Sequence, residues 1–306
     1  MWNTPPLSSS SINGYMSSTH YSKLDNLYTK SEIDTLIENS SSGSGNNYGT
    51  DFDRYEEIYL GDHVTETQSA NIANGSFDGL PLGAYWTINN IKYRILSQDQ
   101  YYLIGFLGNY NGIYTHHVVV MPDDIYKIPQ MYNNTETSND CYYGSNVMRP
   151  YIENTYNPMI INAFGENHIL SHTHDLTSGT YKNGTLVPTD NTKAWLINSY
   201  NVNGTKYEYE TDYSWKISDM KQFPAFKYSA NLKYAKYNGS GTYRGSNYTY
   251  VCHYWLSTTN MNYYICFNAV NRYGGMDYSR ADSSTYANQV NSTYKAYGVR
   301  PAFLVY

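Results

Sequence analysis

Gly298-Val299-Arg300-Pro301-Ala302-Phe303, continued by Leu304-Val305-Tyr306, is the stretch on which the reading of this chain turns. Apolar residues alternate around Arg300 in a run that starts at a glycine, the pattern of a strand. Its place at the end of the sequence predicts a core strand over Val299–Tyr306 that closes the domain. Such a strand carries Arg300 inward, where a guanidinium stays charged and must be paired. A carboxylate or backbone carbonyls are expected to satisfy it, in a structural rather than a catalytic role.

Working outward, the same domain shows local signals of both helix and strand. Tyr85–Leu96 alternates in the strand manner, with Asn89-Asn90 as the turn of a hairpin. Tyr101–Phe106 and Thr115–Met121 read as further strands. Thr65-Glu66-Thr67-Gln68 has capping-box spacing and opens a short helix through Ala73, ended by Asn74-Gly75. Asn146–Phe164 has helical spacing (Val147 and Tyr151; Met148, Ile152 and Tyr156; Ile160 and Phe164), with Gly165 as its stop. Pro150 and Pro158 are expected to bend or divide it. Beyond Ala194 short strands alternate with long loops rich in Gly, Asn and Tyr. Strands, then helix, then strands predict an α+β fold with two main helices, not a doubly wound sheet. No internal repeat of fixed period is visible.

Residues 1–47 differ from the rest. Leu24, Leu27, Ile33, Leu36 and Ile37 form a short apolar stripe, too short for an isolated helix. The stripe gains stability only if several chains bury it together; the alternative is a disordered tail. Ser40-Ser41-Ser42-Gly43-Ser44-Gly45-Asn46-Asn47 reads as a flexible linker. The expected organisation is therefore 1–47 as an oligomerisation and attachment segment with its linker, and 48–306 as one domain.

Composition narrows the function classes. The 306 residues carry 15% charged side chains and a formal charge of -6, which argues against nucleic acid as a partner. No run approaches the length needed to span a bilayer, so no membrane insertion is expected. Met1-Trp2-Asn3-Thr4-Pro5-Pro6 has no basic or apolar leader pattern, so no secretory signal is expected. Cys141, Cys252 and Cys266 are too few and scattered for a disulfide framework. Tyrosine is the anomaly, at 38 residues, while all hydrophobic types together reach only 41%. The core is thus expected to be largely aromatic, with hydroxyls that need partners or solvent.

Few patterns carry chemistry. His168-x3-His172-x-His174 with Asp175 has metal-ligand spacing. It falls after the glycine that ends the helix and has no intervening glutamate, so no metal site and no cofactor are assigned. His116-His117 lies in an alternating strand, where neighbours point to opposite faces. Glu56-Glu57, Asp123-Asp124, Asp51 and Asp53 are candidate carboxylates, but nothing in the sequence sets two of them at the separation glycoside cleavage requires. No nucleophile elbow, phosphate loop or dinucleotide fingerprint is present. Sequons at Asn183, Asn203, Asn247 and Asn291 reflect composition. Ser257–Tyr297 holds 7 Tyr, 6 Asn, 5 Ser and 4 Thr in 41 residues, the types that binding loops favour. Elsewhere tyrosine is 31 of 265, so composition alone does not mark this segment as a site.

Three segments resemble known proteins. Ile12-Asn13-Gly14-Tyr15-Met16-Ser17 with Lys23-Leu24-Asp25 resembles the N-terminal motif of many phage tail-fibre proteins. Tyr254-Trp255-Leu256 and Gly298-Val299-Arg300-Pro301-Ala302-Phe303 look like the two signatures of a C-type-lectin-like domain. That domain is common in phage tail proteins and in the variable proteins of diversity-generating retroelements. Asn74–Gly79, Tyr85–Asn89, His116–Asp123 and Gln222–Phe226 stand between them in the family's order. Ser257 replaces the arginine that often follows Trp-Leu in the family. Cys252 and Cys266 do not align with the reactive pair of the related formylglycine-generating enzymes. The calcium-lectin triplets Glu-Pro-Asn, Gln-Pro-Asp and Trp-Asn-Asp are absent.

The resemblance implies a homotrimeric phage-tail receptor-binding protein, made in the bacterial cytoplasm and carried on the virion among other tail proteins. Its ligand would be a bacterial surface protein or glycan. A polysaccharide-degrading tail enzyme and a purely structural tail or baseplate component are the alternatives. The binding face is expected in 260–288, where Ile265, Phe267 and Ala269 of a strand over Tyr263–Val270 turn inward. Tyr264, Cys266, Asn268 and Val270 then turn outward. The resemblance implies that this outward face varies between relatives. Gly274-Gly275 makes the turn. The candidate ligand-binding residues are Asn262, Tyr264, Asn268, Asn271, Arg272, Tyr273, Asp277, Tyr278, Arg280, Tyr286 and Asn288.

Overall fold

Thr65 caps the first helix as its spacing predicts. The Thr65 hydroxyl accepts the Gln68 N–H at 3.2 Å, and the Gln68 side-chain carbonyl accepts the Thr65 N–H at 3.0 Å. This capping box opens α1 (Glu66–Ala73), which stops at Asn74. Gln68 also ties the helix to the sheet, accepting the Trp86 indole N–H at 3.0 Å and donating to the Leu60 carbonyl at 2.9 Å.

The computed structural model describes residues 54–102, 113–127, 148–178, 185–205, 221–238, 251–252, 254–259, 266–271, 273–280 and 297–306. The expectations for 12–37, for the linker at 40–47 and for residues 103–106 lie outside them. So do Asp51, Asp53 and the site candidates Asn262, Tyr264, Arg272, Tyr286 and Asn288.

Asn89 and Asn90 have φ of 52° and 63°, the left-handed pair of a type I′ turn, and join β1 (Tyr85–Ile88) to β2 (Ile91–Gln98). β3 (Val118–Pro122) is buried along its whole length. It starts later than the predicted Thr115 because Asp99 intercepts the chain before it. The Asp99 carboxylate accepts the His117 N–H at 2.9 Å, and the Asp99 N–H donates to the His117 carbonyl at 2.8 Å.

The predicted long helix is α2 (Met148–Tyr151), a π-helical turn (Ile152–Tyr156) and α3 (Asn157–Phe164). Pro158 has no N–H and its ring crowds the carbonyl four residues back. The chain widens rather than breaks: the Asn157 N–H reaches the Ile152 carbonyl five residues back. Gly165, at φ 81°, stops it. After it come a 3-10 turn (Glu166–His168), β4 (Ile169–Leu170), β5 (His172–Ser178), β6 (Thr185–Thr192) and β7 (Ala194–Trp195). Next are α4 (Ser199–Asn203), α5 (Pro224–Tyr228), a 3-10 turn (Ala230–Lys233), β8 (Ala235–Lys236) and β9 (Val251–Cys252). The series ends with β10 (Tyr254–Thr259), β11 (Cys266–Val270), β12 (Met276–Arg280) and β13 (Ala302–Val305). The fold is α+β with antiparallel pairing between its strands.

The main sheet runs β1-β2-β3-β13-β4, with β7 also pairing β13. β13 therefore lies inside the sheet, with Val305 opposite Val118 and Phe303 opposite Val120. Its ladder is shorter than the predicted Val299–Tyr306, because Pro301 cannot donate a backbone hydrogen bond. Residues 54–61 lie along the outer side of β1, bonded through Leu82 N to Arg54 O at 2.7 Å and Tyr85 N to Ile58 O at 2.9 Å.

Aromatic rings occupy the centre of the core. Phe164 packs edge-on to Tyr93 at 5.0 Å, to Phe303 at 5.2 Å and to Trp86 at 5.8 Å. Aliphatic side chains are as prominent, including Ile95, Leu96, Val118, Val119, Val120, Leu304 and Val305. The core is thus mixed rather than largely aromatic. Tyrosine dominates elsewhere: Tyr59, Tyr114, Tyr228, Tyr234 and Tyr273 are the exposed large hydrophobic side chains among the described residues. No helix among those residues is long and apolar enough to cross a membrane.

Candidate functional site

β10, β11 and β12 form a separate antiparallel sheet with β11 in the middle. Asn268 pairs with Tyr278, Cys266 with Arg280, and Ala269 with Asp277. Val270, expected to face outward, is fully buried, as is Ala269. At its inner end β11 is covered on both faces: Val270 pairs with Tyr254, itself fully buried. A strand's alternation marks an exposed face only where one side of the sheet is left uncovered.

The hairpin tip is built by Asn271. Its side-chain carbonyl accepts the Tyr273 N–H at 2.8 Å and the Gly275 N–H at 3.1 Å. Its backbone N–H bonds the Gly275 carbonyl at 2.8 Å, and its carbonyl accepts the Gly274 N–H at 3.0 Å. This local side-chain closure, with Gly274 at φ 74°, makes a rigid turn. Asn271 organises the tip, and Tyr273 projects from it with 68% of its surface exposed.

The tip rests on a part of the chain that sequence reasoning passed over. A Cβ placed on Gly274 would lie 3.3 Å from Lys233 Cβ and 3.5 Å from the Tyr234 ring. Tyr234 is exposed and Lys233 is half-buried, its ammonium donating to the Asn203 side-chain carbonyl at 2.6 Å. Burial pushes the Lys233 pKa below its ordinary value. No spacing pattern joins Asn203, Lys233 and Tyr273, so no sequence signal would have found the cluster.

Arg300 holds this region to the main sheet. Its Nε donates to the Pro122 carbonyl at 2.7 Å and a terminal nitrogen to the Leu232 carbonyl at 2.9 Å. Backbone carbonyls satisfy the guanidinium, one of the two expected ways, and it sits 5.4 Å over the Tyr254 ring. Tyr254 also bridges to Gly298. Ser257, where the resembled family often has arginine, is buried and bonds through its N–H to the Ile197 carbonyl at 2.9 Å.

The carboxylate candidates are engaged in pairs. Asp123 holds Arg94 through two oxygens at 2.7 and 2.6 Å, and Glu57 lies 3.4 Å from the same guanidinium. Burial opposes the Arg94 charge, but Asp123 and Glu57 outweigh it and raise the pKa. Glu56 pairs with Arg54 at the surface, and Asp124 accepts the Lys236 N–H at 2.8 Å. His116 bonds Asp99 at 2.6 Å, whereas His117 is fully buried beside it. Burial lowers the His117 pKa against the opposing pull of the Thr115 carbonyl and Asp99. His168 lies in a 3-10 turn near the Tyr306 carbonyl, while His172 and His174 belong to β5, so no helix presents them together. No group of three potential metal ligands occurs among the described residues. No protein family, curated protein or solved structure matches this chain.

Proposed function

We propose that the chain is a host-recognition protein of a phage tail, with a C-type-lectin-like domain that binds a bacterial surface ligand at the β11–β12 hairpin. The observation that carries the reading is Tyr273. It is a mostly exposed aromatic on a tip fixed by four hydrogen bonds of Asn271. A stiff amphipathic side chain on a pre-organised turn gives wide contact at little entropic cost. The two motifs that carry the lectin-like resemblance are adjacent in space through the Tyr254–Gly298 bridge, which supports reading them as one unit.

The proposed assembly is a homotrimer joined through 12–37 and attached to other tail proteins on the virion. Three copies would raise avidity for a repetitive cell surface. Light scattering of the full chain should then give three times 35.1 kDa. Attachment of labelled protein to a panel of bacterial strains tests the function, with sugar release assayed in parallel for the enzymatic alternative. Tyr273→Ala should weaken attachment by about 2 kcal/mol while leaving the melting temperature in place. Attachment that survives Tyr273→Ala and Tyr278→Ala together would put the receptor site elsewhere.

A further inference from the structure

Lys233 is a half-buried cation with no acid beside it among the described residues. Its ammonium donates to the neutral amide oxygen of Asn203 at 2.6 Å, and it forms no ion pair among the described residues. Burial pushes its pKa down, and no carboxylate among the described residues offsets that. Several other partly buried cations here have an acid beside them, Arg94 and Lys92 in Asp123, Arg149 in Glu153 and Lys193 in Glu166, while Arg300 is satisfied by two backbone carbonyls. The chain has a formal charge of -6, yet none of the acids among the described residues is placed at this position. An ammonium partly removed from water without a counter-charge is destabilising, and a ligand anion arriving there would relieve it.

The surroundings are those of a recognition surface. Three elements converge: the end of α4 with Asn203, the 3-10 turn with Lys233 and exposed Tyr234, and the hairpin tip with Tyr273. Gly274 allows close approach, since a side chain there would press on Lys233 and Tyr234. Arg300, through the Leu232 carbonyl, fixes the turn that carries Lys233.

We infer that the hairpin surface binds an anionic saccharide, with Lys233 pairing its carboxylate or phosphate and the Tyr273 and Tyr234 rings lying against the sugar. Three donors sit on the ammonium; Asn203 takes one, leaving two for the anion's oxygens. Tyrosine rings offer apolar faces to sugar C–H groups and hydroxyls to sugar oxygens. This inference rests on the proposed recognition role and specifies its ligand.

The test uses the full chain on an array of neutral, uronate-bearing and phosphate-bearing bacterial saccharides, with affinities of the bound probes measured at low and high salt. Binding should be confined to the acidic saccharides, and the uronate and phosphate arms tell which anion is read. Lys233→Gln should weaken it by roughly tenfold or more, the size of one charge-assisted hydrogen bond, and Lys233→Arg should keep part of it. If Lys233→Gln proves unstable, the salt titration of the unaltered chain reads the same charge, since affinity must fall as salt rises. Neutral saccharides bound as tightly as acidic ones, or affinity indifferent to salt and to Lys233→Gln, would overturn the inference. Cell attachment lost in Tyr273→Ala but unchanged in Lys233→Gln would sink the anionic ligand alone. Absence of attachment to any strain, with no binding on the array, would sink the recognition role with it.

Discussion

Gly298→Ala probes the junction between the two motifs. A Cβ on Gly298 would lie 2.6 Å from Ile125 Cγ1 and 3.1 Å from Cγ2, with Cδ1 nearer still. Ile125 is fully buried, and its backbone is held on both sides, N–H to the Lys236 carbonyl and carbonyl to the Asn238 N–H, each at 2.8 Å. A β-branched side chain so fixed has no spare rotamer to retreat into. Overpacking of this kind costs about 3 kcal/mol at the upper end. Alanine also restricts the unfolded chain, which offsets about 0.4–1 kcal/mol. The net expectation is a loss of about 2 kcal/mol, seen as a lower urea midpoint at constant slope. Ile125→Ala removes the crowding atoms but leaves a cavity costing about 2–5 kcal/mol by itself. In the double variant the new methyl enters that cavity, so the combined loss should fall short of the sum by about 1 kcal/mol or more. An unchanged midpoint for Gly298→Ala, or strict additivity in the double variant, would refute the close-approach account of this glycine.

Two further outcomes follow from the buried charges. Asp123→Asn should cost about 3 kcal/mol by leaving buried Arg94 only the half-exposed Glu57 as counter-charge, whereas Glu56→Gln at the exposed pair should shift stability by less than about 0.5 kcal/mol; parallel urea titrations compare them. Because burial lowers the His117 pKa, the unfolded chain takes up a proton that the folded chain resists. Stability should thus be fully present above pH 6.5 and decline as the pH falls from there. Denaturation midpoints between pH 8 and pH 5 read this, and a decline of the same size in His117→Gln would assign it to other groups.

What the sequence made legible was local. The Thr65 capping box, the Asn89-Asn90 turn, the Gly165 stop and the division at Pro158 each depend on residues within a few positions of one another. Their chemistry is set before the chain folds. Arg300 was legible by class, because a buried guanidinium must be paired, but its partners Pro122 and Leu232 come from remote segments. Pairings across distance left no signal: residues 54–61 beside β1, the Asp99 contact that delays β3, and the setting of Lys233 between Asn203 and Gly274. Val270 went wrong for the same reason, since a second covered face is a property of the neighbours and not of the strand.

The interior position of β13 sets a schedule for biosynthesis. The Arg300 bond to Pro122 joins residues 178 positions apart and the ladder to β3 spans more, so a ribosome must finish Val305 before the sheet can be completed. Until then Val118-Val119-Val120, later buried throughout, waits in the nascent chain with an unpaired edge open to wrong partners. A product without Ala302–Val305 would lose the middle of its sheet, not its fringe. Cells making it at high level would be expected to need chaperone holding during elongation, and slower growth temperatures should raise the soluble yield.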